Sequence, residues 1–369
     1  MRKSIIKFDH VSKVFPDGTK AVDDVSFEIN EGECITFVGP SGCGKTTTVK
    51  LLNRLVEPTE GTIYLNGEDT SKVDVISLRR NIGYVIQEVG LFPHMTVAQN
   101  ISLVPKLIGW KPEERKKRTD ELLNLVGLDP KSFAERYPHQ LSGGQRQRVG
   151  VARGLAADPP VILMDEPFGA LDPITRTQLQ EEFMRLRFRL KKTILFVTHD
   201  MDEAIKLGDR IAIMRNGKII QFDTPKKVLR EPVDNFVKNL IGKESGFKLM
   251  KLSKIIDVML PVDPVQETQS IKDVKRLMSE RSSDILLVVN DQGVYKGTIH
   301  FEDIQHHENG SVSEFIRQEN SPVNGEEMVQ KIMEIMLKER IIWVPVINQE
   351  GHLLGIVTIS NFATFFAQE

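Results

Sequence analysis

At 369 residues the chain is too long for one ordinary core and points to two or three domains. Its 40% hydrophobic and 27% charged residues match a soluble globular protein, and a formal net charge of −2 gives no electrostatic case for a nucleic-acid partner. No apolar run approaches the roughly 18 residues of a membrane span, Met1 to Lys7 lacks the apolar core of a signal peptide, and Cys34 and Cys43 make no disulfide framework, so a reducing cytoplasm is expected.

Up to about residue 60 the hydropathy alternates like β structure. Ile5 to Phe8, Val25 to Ile29 and Cys34 to Val38 are the expected strands, broken by Asp-Gly and Glu-Gly turns. The last of them enters Gly39-Pro40-Ser41-Gly42-Cys43-Gly44-Lys45-Thr46, and a helix is expected from Lys45 through Leu55. This is a G-x-x-x-x-G-K-[ST] loop in the strand–loop–helix setting that gives the motif its meaning. Glycines let backbone N–H groups close on phosphate oxygens, and the following helix N-terminus adds a favourable dipole. Lys45 is expected to reach the β- and γ-phosphates and Thr46 to ligate Mg²⁺. The expected nucleotide contacts run from Gly39 through Thr47.

Residues from about 90 to 155 read as helix-rich, including Pro112 to Val126 and Gly143 to Ala156. Val161 to Asp165 and Thr193 to Thr198 are apolar, β-branched runs of the kind found in buried parallel strands. Asp165 and Glu166 close the first run at a strand's C-terminal end, where α/β sheets gather their ligands. Asp165 is expected to hold Mg²⁺ through water, and Glu166 to polarise the attacking water as a general base, a role that typically contributes about 10² to 10⁴ in rate. To about residue 225 the pattern is an α/β core with a helical insertion and a β-rich N-terminal part.

The texture changes after Ile241. Gly242 to Lys248 is polar and Gly-containing, and residues 241–250 are expected as a linker. An internal repeat follows. Asp284 to Gly293 aligns with Ile342 to Gly351, Gly297 with Gly355, and Pro264-Val265 with Pro322-Val323, each pair 58 residues apart. The preceding helices carry matching apolar stripes, Val274, Leu277 and Met278 against Ile332, Ile335 and Met336. Two copies are too few for a solenoid and read as two halves of one paired domain.

The phosphate loop, Gln87, Leu141-Ser142-Gly143-Gly144-Gln145, Asp165-Glu166, Ala170-Leu171-Asp172 and His199 together resemble the nucleotide-binding subunit of an ABC transporter, over residues 1 to about 240. The resemblance implies a P-loop α/β ATPase with a helical subdomain at about 90–155, using ATP and Mg²⁺ in a head-to-tail dimer. Ser142 and Gly144, with Gly143 and Gln145 beside them, would contact the γ-phosphate held by the second copy. Gln87 would touch Mg²⁺ and the attacking water, His199 would hydrogen-bond the γ-phosphate, Asp172 would cross the dimer interface, and Phe15 would stack on adenine. Gln87 to Val97 resembles the groove that receives a coupling helix of a transmembrane permease subunit. The chain would then be peripheral, on the cytoplasmic face of the plasma membrane. Relatives that act on nucleic acid or ribosomes usually carry two ATPase units or basic extensions, which the sequence does not show.

The repeat resembles a pair of CBS modules, each β-α-β-β-α, at 251–308 and 309–369. Such pairs bind adenine nucleotides or cyclic dinucleotides through Gly-x-x-[Thr/Ser]-x-x-Asp. Here the copies read Gly297 to Asp303, with His300 replacing the hydroxyl, and Gly355 to Asn361, with Asn361 replacing the acid. An ATPase fused to such a pair resembles the osmoprotectant importers for glycine betaine, carnitine or choline, which also use an extracellular solute-binding protein or domain. Val104 to Leu107, Asp165 to Thr175 and Thr198 to Lys206 carry that likeness. The two departures weaken the case for ordinary AMP or ATP binding, and three readings stay open: a ligand such as cyclic di-AMP between the repeats, screened contacts of Lys248, Lys251, Lys254, Lys272, Lys275 and Arg276 with an anionic membrane surface, or a purely structural pair.

Overall fold

The computed structural model describes residues 3–86, 90–169 and 171–366 and divides into two compact units, Met1–Gly242 and Lys243–Glu369.

The first unit holds two sheets. One is antiparallel, in the order Lys20–Asn30, Ser4–Val14, Glu60–Leu65, Glu68–Asp69. Its two long strands extend well past the expected runs, because register shifts let them bend while their polar residues alternate outward. The other sheet has six strands, in the order Lys218–Asp223, Arg210–Arg215, Cys34–Val38, Thr193–Thr198, Val161–Asp165, Ile82–Val85. All its pairs are parallel except the edge pair formed by Lys218–Asp223. The three central strands are buried at every residue, as expected of parallel strands covered on both faces.

One core lies between the sheets, where Phe8 stacks on Phe27 at 4.5 Å and Phe27 meets Phe37 edge-on at 5.3 Å. The other face packs Phe168, Phe183 and Phe196 against Ile101, Leu122 and Val149 of the helical insertion. That insertion contains helices Val97–Leu107, Pro112–Leu125 and Gly143–Leu155. The phosphate-loop helix runs only from Lys45 to Leu52, short of the expected Leu55, because Asn53 caps it and Arg54 turns to φ 47°.

In the second unit each repeat forms a three-stranded sheet: Val265–Gln266, Ile285–Val289, Tyr295–His300, and Val323–Asn324, Trp343–Ile347, Leu353–Thr358. Helices Ile271–Arg281 and Val329–Glu339 bury Val274 with Met278 and Ile332 with Met336, the expected stripes, while Ile335 stays exposed. The repeats exchange segments. Met250, Ile255 and Val258 pack into the core of the second repeat, and Leu260 pairs with Ile356. Conversely, Val312, Phe315 and Ile316 pack into the core of the first, and Arg317 pairs with Thr298. The stretch expected as a linker therefore carries a helix, Ser245–Leu252, because Leu249 and Met250 have a core to enter.

Candidate functional site

Parallel register assembles the first site. Val38 lies opposite Thr198, and Asp165 opposite Val197, so the C-terminal ends of three neighbouring strands carry the phosphate loop, the Asp165-Glu166 pair and His199 side by side. The loop itself admits only glycine at two places. A Cβ on Gly39 would sit 2.2 Å from the Met214 carbonyl oxygen, and one on Gly44 would sit 2.3 Å from that of Ala21; both residues have positive φ, as does Gly42. Pro40, Ser41 and Gly42 are exposed, whereas Cys43 is buried beneath them. Lys45, only 5% exposed as a residue, donates its ammonium to the carbonyls of Gly39 at 2.7 Å and Pro40 at 3.0 Å.

Thr46 donates its hydroxyl to Asp165 at 2.9 Å, and Thr47 is half-buried on the next helical position. Burial raises the Asp165 carboxyl, with the Thr46 bond opposing it and the Glu166 charge adding to it. A hydroxyl beside a carboxylate is an oxygen-donor pair suited to Mg²⁺, so the residues present fit that ion. On the adjacent strand Tyr84, opposite Leu163, shares the sheet face of Asp165; burial, and secondly that carboxylate, push its phenol up to about 12. Glu166 sits at φ 44° with its N–H bonded to the Val197 carbonyl, and His199 Nδ1 lies 3.2 Å from its carboxylate. Sequence reading singled out neither Tyr84 nor that strained backbone.

Ser142 caps the 13-residue helix Gly143–Leu155: Gln145 N–H donates to Ser142 Oγ at 3.3 Å, and Ser142 N–H donates to Gln145 Oε1 at 3.0 Å. Its hydroxyl proton remains available to an acceptor outside the chain. Gly144 lies so close to helix Pro173–Leu190 that a Cβ would meet Thr175 Cγ2 at 2.7 Å. Asp172 caps that second helix by accepting from Thr175 N–H at 3.0 Å, the contact that chiefly lowers its carboxyl. Phe15 is half-buried beside a turn, with the Lys13 ammonium 5.4 Å from its ring centre. Gln87 lies outside the described residues, as does Ala170. Downstream, Asn100 is fully buried and bonds Phe92 in both directions, leaving the Phe92 ring 41% exposed ahead of the Thr96 cap.

Residues 22–169 match the ABC transporter family, and residues 255–309 and 312–367 each match the CBS domain. The chain is 50% identical to the glycine betaine/carnitine/choline transport ATP-binding protein OpuCA of Bacillus subtilis, across 96% of this chain and 94% of that protein. The chain belongs to the ATP-binding subunits of ABC transporters. It is therefore an ATPase of the kind that drives transport with ATP and Mg²⁺. This ABC ATPase is also 38% identical to the osmoprotectant import ATP-binding protein OsmV of Salmonella typhimurium, across 98% of the chain and 96% of that relative. Among solved structures, the dimeric post-hydrolysis state of an ATP-binding cassette bound to ADP and Pi covers 60% of the ABC ATPase and 99% of its own chain, at 35% identity and a TM-score of 0.55. Among the described residues no helix is long and apolar enough to cross a membrane.

The CBS pair of this ABC ATPase treats its two motif positions differently. In the second repeat, Thr358 and Asn361 bond each other at 2.7 Å at the start of helix Ile359–Phe366, beside a cleft of about 930 Å³. The cleft has apolar walls from Ile285, Leu287, Ile342, Trp343 and Ile356, and polar groups from Ser283, Asp284, Thr358 and Ser360. In the first repeat, His300 is buried against Glu319 at 3.1 Å, and Arg317 pairs with Glu302, Asp303 and Glu319. Of the six expected membrane-facing cations, Lys254 pairs with Glu326, Lys275 donates to the carbonyls of Gln305 and His307, and Arg276 lies 3.4 Å from Asp273.

Proposed function

We propose that this chain is the ATP-hydrolysing subunit of an importer for quaternary-amine osmoprotectants of the glycine betaine, carnitine and choline type. The observation that carries the reading is the 50% identity, over 358 residues that take in both the ATPase and the repeats, to a transporter subunit named for those three solutes. Two copies meet head to tail on the cytoplasmic face of the plasma membrane, attached through transmembrane permease subunits. An extracellular binding protein or domain delivers the solute.

In each copy the loop from Gly39 to Thr47 wraps the phosphates, Lys45 swings from its carbonyl partners onto them, and Phe15 covers adenine. Thr46 and Asp165 would hold Mg²⁺, which when bound would supply charge neutralisation on the transferring phosphoryl group. Ser142, Gly143, Gly144 and Gln145 of the other copy close the γ-phosphate side, where the dipole of a 13-residue helix favours negative charge. Glu166 takes the proton of the attacking water. His199 orients that carboxylate through Nδ1 and hydrogen-bonds the γ-phosphate through Nε2. Gln87 would contact Mg²⁺ and the attacking water and couple them to the helical subdomain, whose exposed Phe92 turn would receive the permease.

The cleft beside Trp343 is the seat of control, taking cyclic di-AMP or another adenine nucleotide. Its aromatic and aliphatic walls suit a base, and its hydroxyls suit ribose. In the first repeat the equivalent His300 and Arg317 are engaged with Glu319, Glu302 and Asp303, which favours the cleft beside Trp343 as the ligand site. Uptake of labelled glycine betaine, carnitine and choline by cells lacking this chain tests the reading. Import of all three should fall and return with the wild-type chain; unchanged import overturns it.

A further inference from the structure

Beneath the catalytic pair lies a small cavity lined by Glu166, Thr198, His199, Arg176 and Glu203. The last two were not expected from sequence to take part in anything. Arg176 lies one turn beyond Asp172, and its Nη2 donates to the carbonyls of Leu171 at 3.1 Å and Gly169 at 3.4 Å. Its Nε is buried with no bond partner. Glu203 lies one turn beyond His199 and is only 6% exposed. Gln180 Nε2 donates to it at 2.9 Å, and Glu203 N–H joins Asp202 N–H on the Asp200 carboxylate that caps the helix following His199.

A carboxylate this deep is costly to bury unless an opposite charge and hydrogen bonds accompany it. Burial raises the Glu203 carboxyl, and Thr198, Gln180 and the Arg176 charge act against that rise. The guanidinium bonds two carbonyls of the stretch ending at Asp172 and lines the same small cavity as the acid that supports the His199 turn.

We propose that Arg176 and Glu203 are positioning residues that tie the dimer-crossing Asp172 segment to the His199 turn, so that closure of the dimer and alignment of His199 on Glu166 occur together. This rests on the catalytic reading of Glu166 and His199, and neither residue touches substrate. The pair acts on the alignment of the water and γ-phosphate and not on ATP capture, which belongs to the phosphate loop.

The test is steady-state ATP hydrolysis by the purified full-length chain carrying Glu203→Gln, Arg176→Lys, or both, with Glu166→Gln as a control. Each single variant should lower kcat by about tenfold with KM for ATP within about twofold, and the double should be no slower than the slower single, as residues acting as one unit are. Rates within about twofold of wild type, a loss that falls on KM, or losses that multiply in the double would overturn the proposal. Should Glu203→Gln fail to fold, the kcat and KM of Arg176→Lys decide alone. A Glu166→Gln chain that still turns over would refute the catalytic reading instead, so the two failures are told apart.

Discussion

Gly144→Ala probes the contact between the signature helix and its neighbour. A Cβ there would stand 2.7 Å from Thr175 Cγ2, well inside van der Waals contact, and the next atom is Leu179 Cδ1 at 3.8 Å, an ordinary distance. Overpacking of this kind destabilises by about 1–3 kcal/mol, while alanine gains up to about 1 kcal/mol over glycine as a helix former. The offending atom is a single methyl, which Thr175→Ser removes while leaving the backbone N–H that Asp172 accepts from. Thr175→Ser should therefore be neutral or slightly destabilising in the wild-type chain and stabilising in the Gly144→Ala chain. Taking the clash as about 1–3 kcal/mol, the melting temperature of the ATPase unit should differ by about 2–4 °C per kcal/mol between Gly144→Ala and the double variant. Thermal unfolding followed by circular dichroism reads this as a four-member cycle. An equal effect of Thr175→Ser in both backgrounds would refute the packing argument.

Glu166→Gln should slow hydrolysis by about 10² to 10⁴ while ATP binding persists and closed dimers accumulate on size exclusion; wild-type turnover would remove Glu166 from the base role. For Asp165, burial raises the carboxyl above its ordinary 3.8, so the folded state favours the neutral form. Its contribution to stability is present below 3.8 and is lost as pH rises through the raised value, leaving a penalty at neutral pH. Asp165→Asn should accordingly melt above wild type at pH 7 to 8, with the difference shrinking as pH falls towards 4, even though hydrolysis is lost. The chain has two tryptophans, so Trp110→Phe leaves Trp343 as the single reporter of the repeat cleft. Cyclic di-AMP should shift its emission, and Trp343→Ala should weaken binding measured by calorimetry by about 2- to 10-fold; an unresponsive Trp343 would place the ligand elsewhere.

Much of the ATPase site is legible in sequence because its chemistry is local. A run of backbone N–H groups, a lysine and a hydroxyl lie within one loop, and Ser142 with Gln145 forms a cap within one turn. The strands were legible as types, since buried parallel strands announce themselves by unbroken β-branched runs. Their order was not, and it is the order that sets Asp165 against Val197 and brings His199 to Glu166. Tyr84, Arg176 and Glu203 were missed for the same reason: a tyrosine in a strand or a charge in a helix carries no motif until a neighbouring element faces it. In the repeats the 58-residue spacing gave the sheets and helices but concealed the exchange of segments. Met250 precedes the first copy and Ile255 stands at its start, yet both fill the core of the second, a partner choice that hydropathy alone cannot encode. Likewise His300 read as a missing hydroxyl, whereas the fold shows it occupied by Glu319 and flanked by Arg317.

The most direct measurement is uptake of labelled glycine betaine by cells in which the chromosomal copy of this chain is replaced by Glu166→Gln. The account predicts import reduced to the level of cells lacking the chain, with the variant still expressed and still binding ATP. Import at the wild-type rate would contradict it.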